Sequence, residues 1–171
     1  MKFSIIACVN KKLAIGKDGG LMFHIGNDLK NFRRMTLNNV VIMGRKTFES
    51  LPNAQPLKDR INIIITSDKE YSVDSSFENV YIVHSPQDAV ELVECMFDDK
   101  EAFVIGGASI YQWFLDNNAV SSMYITEVNN EDEGDTYFPN VLDNFYLFYQ
   151  SYTQRQRTDE TTYKFSIYVR R

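Results

Sequence analysis

At 171 residues and 19.9 kDa the chain has the size that one hydrophobic core still serves without splitting, so residues 1–171 are expected to form a single domain. A content of 44% hydrophobic and 24% charged residues excludes a disordered or fibrous chain. A formal net charge of −5 with pI about 5.0 leaves no broad basic footprint for nucleic acid, so any anion site must be local.

In chain order, the first run, Phe3 to Val9, reads as a strand, too short for a membrane span and without a small-residue cleavage site. Asn10 to His24 follows as the longest irregular stretch, where Gly16, Gly19 and Gly20 permit unusual backbone conformations and suggest either a lid or an ordinary crossover. A helix is expected over Asn27 to Thr36, then a strand at Val40 to Met43 and a short helix from Arg45 to Leu51. Strands at Ile61 to Thr66, Val80 to Val83, Ala102 to Ile105 and Ser122 to Val128 alternate with helices at Pro86 to Phe97 and Ala108 to Leu115. The runs VVIM and AFVI are apolar throughout, and INIII is so apart from Asn62, as in strands covered on both faces of a mostly parallel sheet. Two last strands, Phe145 to Thr153 and Thr161 to Val169, flank a polar turn and read as an antiparallel hairpin. Cys8 and Cys95 lie in apolar contexts that suggest small buried hydrophobes in a reducing cytoplasm, and His24 and His84 lack spaced partners, so no metal is expected.

Asp28 is the informative residue. It borders the apolar face formed by Leu29, Phe32 and Met35, where an unpaired charge is costly. Either Asn27 or Asp28 caps the helix, or the carboxylate serves a site. In VVIMGRKTFESL, Gly44 turns the chain and Arg45, Lys46 and Thr47 open a helix, which is either a phosphate site or a solvated helix start. In AFVIGGASIY, Gly106 and Gly107 precede the helix at Ala108 and allow close backbone approach, without the dinucleotide fingerprint GxGxxG. The acidic stretch EDEGDTYFP, Glu131 to Pro139, reads by its charge pattern as a solvated turn.

The ordered set formed by Ile6-Ala7, Ile15-Gly16, Asp28-Leu29 with Phe32, Ile42-Met43-Gly44-Arg45, Thr47 to Ser50, Val104-Ile105-Gly106-Gly107 with Tyr111, Thr126 and Glu133 to Pro139 resembles the dihydrofolate reductases over nearly the whole chain. The resemblance implies an α/β, dihydrofolate-reductase-like fold: a central, mostly parallel eight-stranded sheet with a C-terminal antiparallel hairpin and about four flanking helices. It implies NADPH-dependent reduction of 7,8-dihydrofolate to 5,6,7,8-tetrahydrofolate. Asp28, with Thr126 hydrogen-bonded beside it and Phe23 at the pocket mouth, would carry the catalytic role. Ile6, Ala7, Leu29, Phe32, Leu51, Ile105 and Tyr111 would line the pterin pocket, and Arg60 would take the glutamate carboxylate of folate. Gly44, Arg45, Lys46, Thr47, Thr66 and Ser67 would hold the cofactor phosphates, with Arg45 and Ser67 at the 2′-phosphate. Ala7, Ile15, Gly16, Ile105, Gly106, Gly107, Ala108, Ser109, Ile110 and Tyr111 would complete the cofactor site. In the family Gly106 and Gly107 match a pair joined by a cis peptide bond.

The chain departs from the family pattern at Met22-Phe23, where relatives usually carry Pro-Trp, and at Gly26, where they often carry Pro; its only tryptophan, Trp113, lies in the late helix. The expected partner is a small-molecule substrate, with no nucleic acid or membrane, bound by a monomer. Two competing readings share the cofactor segments: a pyrimidine reductase of riboflavin synthesis with the same fold, and a catalytically idle folate- or nucleotide-binding module. The joint presence of Asp28, Phe32 and Arg60 argues against the first.

Overall fold

Strands buried on both faces are apolar at nearly every position, and that pattern builds the centre of this molecule, with buried Asn62 of the fifth strand satisfied by the Leu57 backbone. The computed structural model describes residues 3–140 and 142–171. Its strands are β1 (Phe3–Asn10), β2 (Ala14–Lys17), β3 (Gly20–Leu21), β4 (Val40–Gly44), β5 (Ile61–Ile65), β6 (Val80–Val83), β7 (Ala102–Gly106), β8 (Val120–Val128), β9 (Thr136–Tyr137), β10 (Phe145–Gln150), β11 (Gln154–Arg155) and β12 (Thr162–Arg170). The helices are α1 (Gly26–Thr36), α2 (Arg45–Ser50), α3 (Pro86–Met96) and α4 (Ala108–Asp116).

The main sheet runs β10-β12-β8-β1-β7-β4-β5-β6, with β11 added beside β12. From β8 to β6 every neighbouring pair is parallel, while β12 pairs antiparallel with both β8 and β10. The carboxyl ends of β1, β4, β5, β7 and β8 therefore lie along one edge, the usual place for a ligand crevice in an open α/β sheet. The core lies on both faces: Ile5, Ile42, Ile63 and Val104 are fully buried in one cluster with Phe114 of α4, while Val41, Met43 and Ile64 pack with Phe48 of α2 in another.

Four expectations change. Residues 10–24 are not wholly irregular, because β2 pairs with β3 and β9 in a small three-stranded sheet. Glu131 to Pro139 is correspondingly more than a solvated turn, since it contributes β9. The C-terminal hairpin is interrupted: the chain leaves the ladder after Gln150 and rejoins it as β11 opposite Tyr163 and Thr162. Cys95 is exposed and only Cys8 is largely covered, because α3 buries Ala89 and Val93, four residues apart, and Cys95 points away from that face.

Candidate active site

The capping alternative for Asp28 fails on geometry. Helix α1 is preceded by Ile25 as N-cap with no side-chain cap hydrogen bond, and Asn27 instead donates from Nδ2 to the Tyr163 hydroxyl at 2.9 Å. Asp28 points to the sheet, where its Oδ1 accepts a hydrogen bond from the Thr126 hydroxyl. Thr126 is buried on β8 opposite Cys8 of β1 and Phe165 of β12. Burial raises the Asp28 pKa above the ordinary carboxylate value, and the Thr126 hydrogen bond opposes that rise. Burial also pushes the Cys8 thiol and the Tyr111 phenol far up, so both remain neutral beside it.

A cavity of about 340 Å³ separates α1 from the sheet, and Asp28, Phe32, Ile6 and Thr126 all line it. Asn31, Met35, Tyr124 and Phe165 line it too, a contribution that sequence reasoning missed. The spacing of Asn31 and Met35 along α1 was the available signal. Leu29, Leu51, Arg60, Ile105 and Tyr111 do not border this cavity. Leu29 is exposed on α1, while Leu51 and Ile105 pack together against the Val41, Met43 and Phe48 cluster. Tyr111 of α4 donates its hydroxyl hydrogen to the Ile6 carbonyl at 2.7 Å, which ties α4 to β1. Phe23 packs near Ile25, Val128 and Tyr163 at the start of α1.

Arg60 is buried beside the end of α1. Its Nε donates to Thr36 Oγ1 at 3.2 Å and its Nη1 to the Lys58 carbonyl at 2.6 Å, leaving Nη2 with no hydrogen-bond partner among the described residues. Burial and the neighbouring Arg33 lower its pKa from the ordinary guanidinium value.

Two helix starts converge at the carboxyl edge of the sheet. Helix α2 begins after Gly44 and α4 after Gly107, neither with a side-chain cap, so their first N–H groups remain available. The Gly106-Gly107 peptide is cis, and Gly106 has φ +131°, which only glycine adopts readily. A Cβ on Gly106 would sit 3.4 Å from Thr47 Oγ1, and one on Gly44 would sit 3.3 Å from Ile110. The glycines thus keep this crevice open, with Thr47, Ala108 and Ser109 at its border and Thr66 and Ser67 following β5 on the same edge. This arrangement fits a dinucleotide: backbone donors, small residues and local positive charge from Arg45 and Lys46. Arg45 itself is engaged by Glu49, whose hydrogen bond raises its pKa, and by Asp68, with Tyr71 beneath it. Glu49 was legible at i+4 from Arg45; Asp68 and Tyr71, far away in sequence, were not.

Ile15 and Gly16 lie in β2, which β9 holds. A Cβ on Gly134 would stand 2.6 Å from the Gly16 carbonyl oxygen, so this close approach requires glycine. Asp135 accepts the Asp18 N–H at 2.8 Å, and buried Asn10 accepts the Ala14 N–H at 2.9 Å while donating to the Asp132 carbonyl at 2.8 Å. The segment 10–24 is therefore pinned at its base and along one edge.

A family model described as dihydrofolate reductase matches residues 2–170. The dihydrofolate reductase of Staphylococcus haemolyticus is 36% identical over 173 residues, covering 99% of this chain and 96% of that protein. That of Bacillus subtilis (strain 168) is 33% identical over 169 residues, covering 98% and 94%. The bifunctional dihydrofolate reductase-thymidylate synthase of Daucus carota is 34% identical over 182 residues, covering 98% of this chain and 34% of that longer protein. With residues 2–170 matched by the family model and relatives 33–36% identical over nearly the whole chain, this chain belongs to the dihydrofolate reductase family.

Proposed function

We propose that the chain reduces 7,8-dihydrofolate to 5,6,7,8-tetrahydrofolate with NADPH, as a monomeric single-domain enzyme of the cytoplasm. The observation that carries the reading is the half-buried Asp28 carboxylate, held on one oxygen by Thr126 and bordering a cavity, with its other oxygen unpartnered among the described residues.

When bound, the nicotinamide supplies a hydride to C6 of the pterin. Asp28 favours the protonated form of N5, which makes C6 electrophilic, and the proton that N5 gains comes from solvent. Thr126 fixes the carboxylate, so little reorganisation is needed as charge develops. Ile6 and Phe32 supply apolar walls of the cavity itself, and Ala7, Leu29, Leu51 and Ile105, which lie outside it, would extend that apolar surface around the bound pterin and nicotinamide. Arg60, already anchored through Nε and Nη1, offers Nη2 to the glutamate tail of the substrate. Gly44, Arg45, Lys46, Thr47 and Ser67 would hold the cofactor phosphates, and Gly106, Gly107 and the first N–H groups of α4 would offer further backbone contacts to the cofactor. The segment 10–24 closes over the site and excludes water, with Phe23 in place of an indole.

The test is NADPH oxidation by the purified protein with dihydrofolate, the product being identified by mass spectrometry. Formation of tetrahydrofolate is expected. Oxidation only with an aminopyrimidine substrate of riboflavin synthesis, or binding of both ligands without turnover, would replace this reading.

A further inference from the structure

We propose that Asp68 sets cofactor specificity by competing with the 2′-phosphate for Arg45, holding NADPH affinity below what Arg45 alone would give. The inference rests on the proposed role of Arg45 at that phosphate. Arg45 is held from three sides: Nε donates to Glu49 Oε1 at 2.9 Å, Nη1 donates to Asp68 Oδ2 at 3.0 Å, and the guanidinium carbon lies 4.6 Å from the centre of the Tyr71 ring. Glu49 and Tyr71 suffice to fix the guanidinium plane. Asp68 is thus not required for orientation, and it occupies an Nη edge that a phosphate would use.

Asp68 does not swing freely, because its Oδ1 accepts the Glu70 N–H at 3.0 Å and its own N–H donates to Thr66 Oγ1 at 3.2 Å. The Arg45–Asp68 pair is 40% and 46% exposed, so it is weak enough for a ligand to displace. A phosphate dianion arriving there gains Arg45 but meets the fixed carboxylate at close range. The 2′-hydroxyl of NADH carries no charge and can donate to Asp68. The two cofactors should therefore respond differently to loss of this one charge.

Asp68→Asn tests this, because the amide oxygen still accepts the Glu70 N–H and preserves the turn. Dissociation constants for NADPH and NADH are measured by calorimetry on the purified variant and wild type, at low and high salt. NADPH should bind about two- to fivefold tighter to the variant, with NADH unchanged or weaker and the NADPH gain shrinking at high salt. Unchanged or weaker NADPH binding would make Asp68 a mere support for Arg45 and overturn the proposal, as would equal tightening of both cofactors. The underlying reading is checked separately by Arg45→Ala: if wild type does not prefer NADPH and this variant weakens both cofactors alike, the role of Arg45 fails and the inference goes with it.

Discussion

At the residue scale, Asp28 joins a structural liability to the chemical use proposed for it. Its folded pKa is raised by burial, so the folded chain keeps this proton to higher pH than the unfolded chain. Stability attributable to Asp28 therefore falls as pH rises from the unfolded toward the folded value, and stays lower above both. Asp28→Asn has no charge to desolvate and keeps an oxygen to accept the Thr126 hydrogen. Its melting temperature at neutral pH should exceed that of wild type by roughly 1–4 °C, the gap closing below about pH 4; calorimetric melts across pH check this. The same variant should lose about 10²–10³-fold in kcat at neutral pH, a deficit that shrinks on acidification as solvent protonates the substrate directly. A variant with wild-type turnover would remove Asp28 from the chemistry. Arg60→Ala should raise KM for dihydrofolate about tenfold or more while changing KM for a pterin without the glutamate tail by less than about twofold. Equal losses would assign Arg60 to the fold, through its bonds to Thr36 and Lys58. Asp28 was conspicuous in the sequence because a charge beside Leu29 and Phe32 needs a reason. Asp68 and Tyr71 were silent because only tertiary structure brings them to Arg45.

At the scale of elements, periodicity revealed what packing enforces. Continuous apolar runs became β4, β5 and β7, and Pro86 with Ser85 before it opened α3, the Ser85 hydroxyl accepting the Asp88 N–H at 3.0 Å. The small sheet escaped notice because β3 and β9 have two residues each, too few for any period, and the pairing of β2 with β9 spans more than a hundred residues of sequence. The acidic stretch ties down residues 11–18: Lys11 pairs with Glu131, Lys12 with Glu133, and Asp135 with the Asp18 backbone. Gly134→Ala is the sharpest probe, since its new methyl would strike the Gly16 carbonyl at 2.6 Å and Ala14 Cβ at 3.0 Å. Overpacking of this kind costs roughly 1–3 kcal/mol, so amides of residues 14–17 should exchange with deuterium about tenfold faster or more. Turnover should fall with it while the melting temperature of the main sheet changes little. Unaltered exchange at 14–17 would show that β9 does not hold the segment.

At the scale of the whole molecule, strand types were legible but their order was not, because periodicity reports burial and not neighbours. The order places β12, nearly the last piece of the chain, inside the sheet between β8 and β10, and leaves β10 as one edge. That edge carries exposed Tyr146, Leu147, Phe148 and Tyr149, with Tyr152 beyond it. A row of unpaired backbone groups with apolar side chains is a template for pairing with another chain. The irregular register between Leu147 and Tyr149 interrupts the ladder there and blunts the hazard in the native state. Among the described residues β10 pairs with no strand but β12, so on warming it should be the strand through which copies associate. Phe148, 67% exposed and not itself lining the Asp28 cavity, is the place to test this. Phe148→Lys adds an edge charge without touching the core, so light scattering on heating should begin at a higher temperature than in wild type. Its kcat/KM should stay within about twofold of wild type, as for a surface change away from the site. An unchanged onset of scattering would move the association surface elsewhere, while a loss of activity would mean that the β10 edge and the Asp28 cavity, which share Tyr149, are mechanically coupled.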